Sequence, residues 1–123
     1  MNRPVRRFED LIAWQKAQLI AVCIYQNFTD CKDYGFRNQI CSAAVSISNN
    51  IAEGFDRSTD NQFLQFLDYA KVSCGEVKSM LYLASKLNFI SDEKSGELLK
   101  SCDEESRILY ALMQKIRNDK VVQ

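Results

Sequence analysis

Histidine is absent from this chain of 123 residues, which contains only one proline and four glycines. Without histidine, neither a Ser–His nor a Cys–His nucleophile pair can form, and the Glu-x-x-His pairs of di-iron helical bundles are missing. The sequence also lacks a phosphate-binding G-x-x-x-x-G-K-[ST] loop. We therefore expect a protein that is not an enzyme, binds no cofactor or metal, and acts on no small-molecule substrate.

Net charge and long apolar runs are missing as well. Sixteen Lys and Arg residues balance sixteen Asp and Glu residues, so net charge alone provides no strong attraction to nucleic acid or to a membrane surface. No segment approaches the roughly 18 consecutive apolar residues of a membrane span, and the N-terminal residues MNRPVRRFED lack the apolar run of a secretory signal. We expect a cytoplasmic protein with no membrane partner.

Five cysteines are present, an odd number, and none are spaced C-x-x-C. Three of them, Cys23, Cys74 and Cys102, fall at apolar positions of the helical pattern. A free cysteine often behaves as a small buried hydrophobe. In a cytoplasmic protein we therefore expect reduced thiols, most of them in the core.

The chain is predicted to be helical throughout. Scarce glycine and proline disfavour a fold of strands and turns, and no segment alternates with a period of two. Apolar residues recur at three- and four-residue steps in four segments, at about residues 8–29, 35–54, 59–88 and 92–119. Because the connections are short, neighbouring helices should run in opposite directions. We predict one all-α domain over residues 1–123, an antiparallel up-down-up-down four-helix bundle.

Local signals mark two helix ends and one contact. Thr59 and Gln62 have the T-x-x-Q form of a capping box before the third helix. Gly54 is predicted to end the second helix in the left-handed conformation. Gly75, inside the third helix, is interpreted as a point where another backbone comes close.

The first predicted helix is apolar around more than one side. One row faces the core, and further apolar residues spread around the cylinder. A lone bundle cannot cover both sets, which favours a closed homo-oligomer. The core row is Trp14, Ala17, Ala21, Ile24 and Phe28, and the additional residues are Leu19, Ile20, Val22, Cys23 and Tyr25.

The second helix carries two rows side by side. Residues three and four apart stack on one face, so each row is a continuous stripe. The apolar row is Ile40, Ala44, Ile47 and Ile51, and the polar row is Gln39, Ser46, Asn50, Glu53 and Arg57.

A polar row on a packed helix needs partners, because an unsatisfied buried polar group costs about 1–3 kcal/mol. Two interpretations remain open: a network that fixes helix or subunit register, or a binding surface. Glu53 can pair with Arg57 one turn on or with Arg37 of a neighbouring chain. Glu76, on the third helix, is a further carboxylate for which a cationic partner is expected.

Basic residues cluster at both ends of the chain. In an up-down bundle of four helices the two termini lie at the same end, so the clusters can combine into one contact for nucleic acid. The alternative is that they are only solvated charge. The predicted contact residues are Arg3, Arg6, Arg7, Lys115, Arg117 and Lys120.

Several segments resemble the 23S ribosomal RNA intervening-sequence proteins, also called four-helix-bundle proteins. They are FEDLIAWQKA at 8–17, YGFRNQI at 34–40, AAVSISNNIAEG at 43–54, FLQFL at 63–67 and GEVK at 75–78. The resemblance implies a bacterial four-helix bundle that assembles as a ring, typically a homopentamer. It also implies relatedness to the accessory protein of diversity-generating retroelements, which binds a reverse transcriptase and nucleic acid.

Two functional hypotheses follow. The first is a non-enzymatic oligomeric scaffold whose partner is structured RNA or an RNA-handling protein. The alternative is a protein-binding adaptor, such as a reverse-transcriptase accessory subunit, that does not contact nucleic acid. The retroelement relatives are basic, whereas this chain is neutral. Asn50, Glu53 and Arg57 match the shared motif and are expected to define the fold or the ring.

Overall fold

The structure, a computed structural model, describes residues 5–122, with side chains described as far as residue 119. A short 3-10 turn, Phe8–Asp10, precedes four helices: α1 (Ile12–Phe28), α2 (Tyr34–Phe55), α3 (Asp60–Lys86) and α4 (Asp92–Val122). No strand occurs within the described range. The predicted all-α, four-helix class is therefore confirmed.

The first helix begins later than its periodicity predicts. Leu11 has an extended backbone, with φ −74° and ψ 127°, and this residue separates the 3-10 turn from α1. The second helix begins at Tyr34, because the Asp33 side chain accepts a hydrogen bond from the Phe36 backbone N–H at 3.0 Å. This contact satisfies one of the unpaired N–H groups at a helix start.

The predicted cap of α3 is present in part. Thr59 Oγ1 accepts from the Gln62 backbone N–H at 3.2 Å. The Gln62 side chain accepts from Ser58 Oγ at 3.3 Å. A left-handed residue does occur before α4, where Asn88 has φ 61°.

Each helix packs against two others. α1 lies against α2 and α4, and α3 also lies against α2 and α4, whereas α1 and α3 do not touch within the described residues. α1 and α3 are therefore diagonal in the bundle. No helix in this part of the chain combines the length and the apolar character that a bilayer span requires.

The apolar row of α2 forms the centre of the core. Ile40, Ala44, Ile47 and Ile51 are all fully buried. Aromatic pairs close the core at both ends: Phe36 packs between Phe28 and Phe89, with ring centroids 6.0 and 5.2 Å away, and Phe55 meets Phe63 at 5.8 Å.

The predicted end of α2 near Gly54 is confirmed, because the helix ends at Phe55. Gly54 itself is helical, and no glycine of the described chain has a positive φ, so the predicted left-handed conformation is absent. The interpretation of Gly75 was also wrong. Gly75 faces open space, because a Cβ added there would meet nothing within 4 Å. The close approach predicted for Gly75 instead occurs at Gly54, which packs against α3.

Candidate functional site

A groove of about 790 Å³ runs along the surface between α1 and α2. Tyr25 of α1 and Thr29, which directly follows α1, form one side, and α2 supplies hydroxyl, amide and charged groups on the other. The groove therefore lies where the predicted polar row meets a neighbouring helix. The α2 residues that line it include Arg37, Ser42, Ser46, Asn49, Asn50 and Glu53.

The middle of the polar row forms a hydrogen-bonded network. Asn50 Nδ2 donates to the Ser46 carbonyl oxygen at 2.8 Å and to Ser46 Oγ at 2.9 Å. Ser46 Oγ also shares a hydrogen bond of 2.9 Å with Ser73 Oγ on α3. The two contacts of Asn50 lie within α2 and hold the Ser46 hydroxyl, and the Ser46–Ser73 contact joins α2 to α3 inside one chain. The network therefore helps to fix the register of the two helices.

Glu53 pairs within its own helix. Its Oε1 accepts from Arg57 Nη2 at 2.8 Å, and the Arg57 guanidinium also lies over the Phe66 ring, 4.7 Å from the centroid. Arg37 stacks over the ring of Tyr34 at 5.1 Å. Of the two partners predicted for Glu53, the structure contains Arg57.

The remaining two residues of the predicted polar set lie elsewhere. Gln39 is exposed near the start of α2 and does not line the groove. Glu76 is exposed on α3. The six residues therefore do not form one surface.

The basic residues of the chain ends are solvent-facing where they are described. Arg7 donates to Glu9 at 2.8 Å, and Arg117 donates to Gln114 at 2.9 Å. Arg6 and Lys115 are exposed. Arg3 lies outside the described residues, as does the side chain of Lys120.

The N-terminal arm and the second half of α4 are neighbours. Val5 and Ile12 line a small apolar recess together with Ile108 and Leu112. This contact brings Arg6 to the same region of the molecule as the C-terminal part of α4.

Two exposed apolar stripes complete the surface. The α1 seam consists of Ile12, Leu19 and Val22, which are 69, 64 and 50% exposed. The α3 seam consists of Tyr69, Val72 and Leu83, which are 44, 66 and 47% exposed. The predicted excess apolar surface of α1 is present at Leu19, Val22 and Tyr25, whereas Ile20 is buried in the core. The sequence analysis did not identify Val72, because exposed Glu76 and Ser79 interrupt the apolar spacing between Val72 and Leu83.

Among the residues whose burial is described, one carboxyl group lies in the interior. Glu105 of α4 is fully buried, and within the described structure neither of its oxygens has a hydrogen-bond partner. Burial, and then the neighbouring Cys74, raises the pKa of Glu105 to about 9, while Lys16 opposes the shift. The described residues contain no group of three or more side chains suited to hold a metal ion.

These features define a small all-α protein with four packed helices, a polar groove and two apolar seams. The family model for the 23S rRNA-intervening sequence protein matches residues 9–111, and the chain belongs to this family. No match is found among curated proteins.

The chain is similar to several solved structures. One of them is a protein with unknown function from the S23 ribosomal protein family of Bacteroides thetaiotaomicron. The identity is 22% and the TM-score 0.78, and the match covers 83% of this chain and 98% of that one. This likeness supports the four-helix fold.

Proposed function

We propose that this protein is a non-enzymatic, ring-forming homo-oligomeric scaffold of the bacterial cytoplasm, and that the α1 seam of one subunit binds the α3 seam of the next. The observation that carries the proposal is the presence of two exposed apolar seams on diagonal helices. Large exposed apolar side chains that recur along one face of a helix are typical of protein interfaces.

The seams point in opposite directions. At 3.6 residues per turn, each seam lies on the side of its helix away from the buried residues, such as Ala17 and Ile24 on α1 and Leu67 and Cys74 on α3. Because α1 and α3 are diagonal, one seam faces each side of the bundle. A contact between two different faces is heterologous, and such contacts close into rings when the rotation permits.

An antiparallel arrangement of the helices belongs to this proposal. It is supported by pairs of contacts whose residue numbers run in opposite senses: Gln18 meets Ser48, and Arg37 meets Thr29. The groove adjoins the α1 seam through Tyr25, so a bound subunit would also cover Ser46 and Asn50. The subunit number, five by family resemblance, remains a prediction.

Native mass spectrometry of charged variants tests the interface. Leu19→Lys and Val72→Lys should each give monomers, because each places a charge in one seam. Each variant keeps the other seam intact, so an equimolar mixture should form one-to-one heterodimers that cannot grow into rings.

A matched control is Tyr110→Ser, which changes an exposed aromatic residue of α4 outside both seams and should leave the oligomer intact. A wild-type monomer at micromolar concentration contradicts the proposal. If the two lysine variants are monomeric but do not combine, the contact is not heterologous.

The partner that we propose for the scaffold is structured RNA. Its support is the proximity of the N-terminal arm to α4, which gathers Arg6, Arg7, Lys115 and Arg117 into one region of each subunit. A ring would multiply these charges, and phosphate contacts make binding fall steeply with salt.

Fluorescence anisotropy with a labelled RNA hairpin, measured from low to physiological salt, tests this partner. Combined Arg6→Ala and Arg7→Ala substitutions should weaken binding and reduce its salt dependence. Lys86→Ala, an exposed cation at the end of α3, serves as the control. No binding at low salt would overturn the RNA proposal and favour the alternative of an adaptor for an RNA-handling protein such as a reverse transcriptase.

A further inference from the structure

The hydrogen bonds of one subunit give the relative heights of α1 and α3 along the bundle. Ser46 of α2 is level with Ser73 of α3, because their hydroxyl oxygens are 2.9 Å apart. Gln18 of α1 is level with Ser48 of α2, to which it donates at 2.9 Å. With α2 antiparallel to both neighbours, Ser48 lies two residues, about 3 Å, below Ser46. Gln18 is therefore level with Lys71 of α3.

These heights bring the centres of the two seams together. Leu19 and Val72 follow Gln18 and Lys71 by one residue, so they are also level, and they are 64 and 66% exposed. A cyclic ring holds all its subunits at one height. When the bundles run along the ring axis, α1 of one subunit is parallel to α3 of the next, and Leu19 meets Val72.

One edge of each seam carries a charge. Lys16, the only charged residue of α1, faces α4, where its Nζ pairs with Glu104 at 2.7 Å. Asp68 is exposed on α3, three residues before Lys71, whose ammonium lies over the Tyr110 ring of α4. Each charge is about one turn below the centre of its seam, so Lys16 and Asp68 differ in height by only about 1.5 Å. At this height a cation on α1 faces an anion on α3.

The other edge of each seam faces α2. Tyr69 of α3 is 44% exposed and lies in the row of Phe66 and Ser73, which both contact α2. On α1 this edge borders the groove, which Tyr25 lines. Rotation about the ring axis keeps α2 of every subunit on the same rim, so like edges meet across each contact. Tyr69 of one subunit therefore faces the groove of its neighbour.

We propose that the groove is a binding site completed by a second copy of this chain, and that Tyr69 of the next subunit enters it. This inference rests on the proposed ring and adds the direction and register of its contacts. Three matches occur at one register: apolar side chains at the centre, opposite charges on the α4 edge, and an aromatic ring beside the groove on the α2 edge. The groove has room for a phenol ring, and Asn49 and Asn50 offer amide groups to its hydroxyl.

Disulfide trapping in the full-length protein tests the register, because a disulfide forms only where two Cβ atoms come within about 3.5–4.5 Å. Leu19→Cys combined with Val72→Cys should give a ladder of covalent oligomers on non-reducing electrophoresis after mild oxidation. Cys23→Ser and Cys31→Ser provide the background, since these native thiols are partly exposed. Leu19→Cys combined with Leu83→Cys is the matched control. Leu83 also belongs to the α3 seam but lies about 16 Å above Val72, so this pair should give no ladder.

A steric pair of variants tests the entry of Tyr69 into the groove. Asn49→Trp fills the groove and Tyr69→Ala removes the ring, so each should raise the protein concentration at which the oligomer dissociates by about tenfold. The combination should recover most of the affinity that Asn49→Trp loses, because the added indole takes the place of the missing phenol. Tyr82→Ala, which removes an exposed ring of α3 outside the seam, should neither weaken assembly nor rescue Asn49→Trp. Mass photometry measures the dissociation, and circular dichroism verifies that each variant is folded.

The outcomes separate this inference from the ring itself. An oligomer that gives no link between positions 19 and 72, or that links the control pair as readily, overturns the register while the heterologous ring stands. An Asn49→Trp defect that Tyr69→Ala does not relieve overturns the entry of Tyr69 into the groove. A monomeric wild-type protein overturns the ring and this inference together.

Discussion

Gly54 of α2 packs directly on Phe66 of α3: a Cβ placed on Gly54 would lie 2.5 Å from the Phe66 Cβ and 3.1 Å from Phe63 Cδ1. Real side chains do not come so close, so the absence of a side chain sets the separation of the two helices. The glycine is required for packing, since its backbone is helical.

Gly54→Ala should therefore destabilise the fold. The added methyl forces α2 and α3 apart, at a cost of about 1–3 kcal/mol, although alanine is the better helix former. Urea unfolding followed by circular dichroism measures the free energy of unfolding.

Gly75→Ala is the matched control for this substitution. Gly75 is also helical, but nothing lies within 4 Å of the added Cβ. Alanine there should stabilise the protein by about 0.5–1 kcal/mol. Equal effects of the two substitutions would mean that helix propensity, and not packing, governs both positions.

Sequence periodicity predicted the helices and the central core because burial repeats with the helical turn. Ile40, Ile47 and Ile51 are fully buried as their spacing indicates. The sequence pattern did not distinguish Gly54 from Gly75. The distance from each glycine to the next helix depends on which turns of the two helices lie opposite each other. The sequence of a single helix does not specify that register.

The polar row illustrates the same limit. The predicted face of α2 was correct for Ser46 and Asn50, whose side chains form hydrogen bonds. Gln39 belongs to the same row but is exposed. A row of residues predicts which face of a helix they share, but it does not predict which neighbouring residues lie beside each turn. Glu105 shares the helical spacing of Cys102 and Leu109 along α4. Its raised pKa depends on complete burial, which the sequence of one helix alone cannot reveal.

Asn50→Leu tests the network between α2 and α3. The substitution removes two hydrogen bonds to Ser46, each worth about 0.5–1.5 kcal/mol, so the melting temperature should fall. If the groove is covered in the oligomer, the mass of the assembly should also change. Differential scanning calorimetry and native mass spectrometry provide the two measurements.

Asn49→Leu is the neighbouring control, because Asn49 is exposed and lines the same groove. It should leave the melting temperature of the subunit nearly unchanged. An unchanged melting temperature and an unchanged mass for Asn50→Leu would indicate that the Asn50 amide faces solvent. The network would then contribute nothing to the stability of the fold.

Thr59→Ala tests the start of α3. The Thr59 hydroxyl accepts from the Gln62 backbone N–H, and the loss of such a cap costs about 1 kcal/mol. Ser58→Ala removes only an exposed side-chain contact and should change the free energy of unfolding by less than about 0.5 kcal/mol. Chemical denaturation of both variants, in one buffer, compares them. An equal loss in the two would argue against the cap.

Glu105 predicts an unusual dependence of stability on pH. Its pKa is about 9 in the folded chain against 4.5 for an ordinary glutamate, so between these values the unfolded chain has released this proton and the folded chain has kept it. The stabilising contribution is complete below pH 4.5 and is lost as the pH rises toward 9. The slope is about 1.4 kcal/mol per pH unit from this one group.

Glu105→Gln should flatten this slope, because the amide does not titrate. Glu105→Leu should in addition raise stability at pH 7, since it replaces a buried polar group that lacks hydrogen bonds with an apolar one. Glu97→Gln, an exposed carboxylate of the same helix, should leave the slope unchanged. Urea unfolding at several pH values between 5 and 9 measures the slope of all three variants.

A wild-type slope equal to that of Glu105→Gln would show that Glu105 is ionised in the folded protein. The buried carboxylate would then need a cationic partner such as Lys16. In the structure Lys16 instead pairs with Glu104, at 2.7 Å.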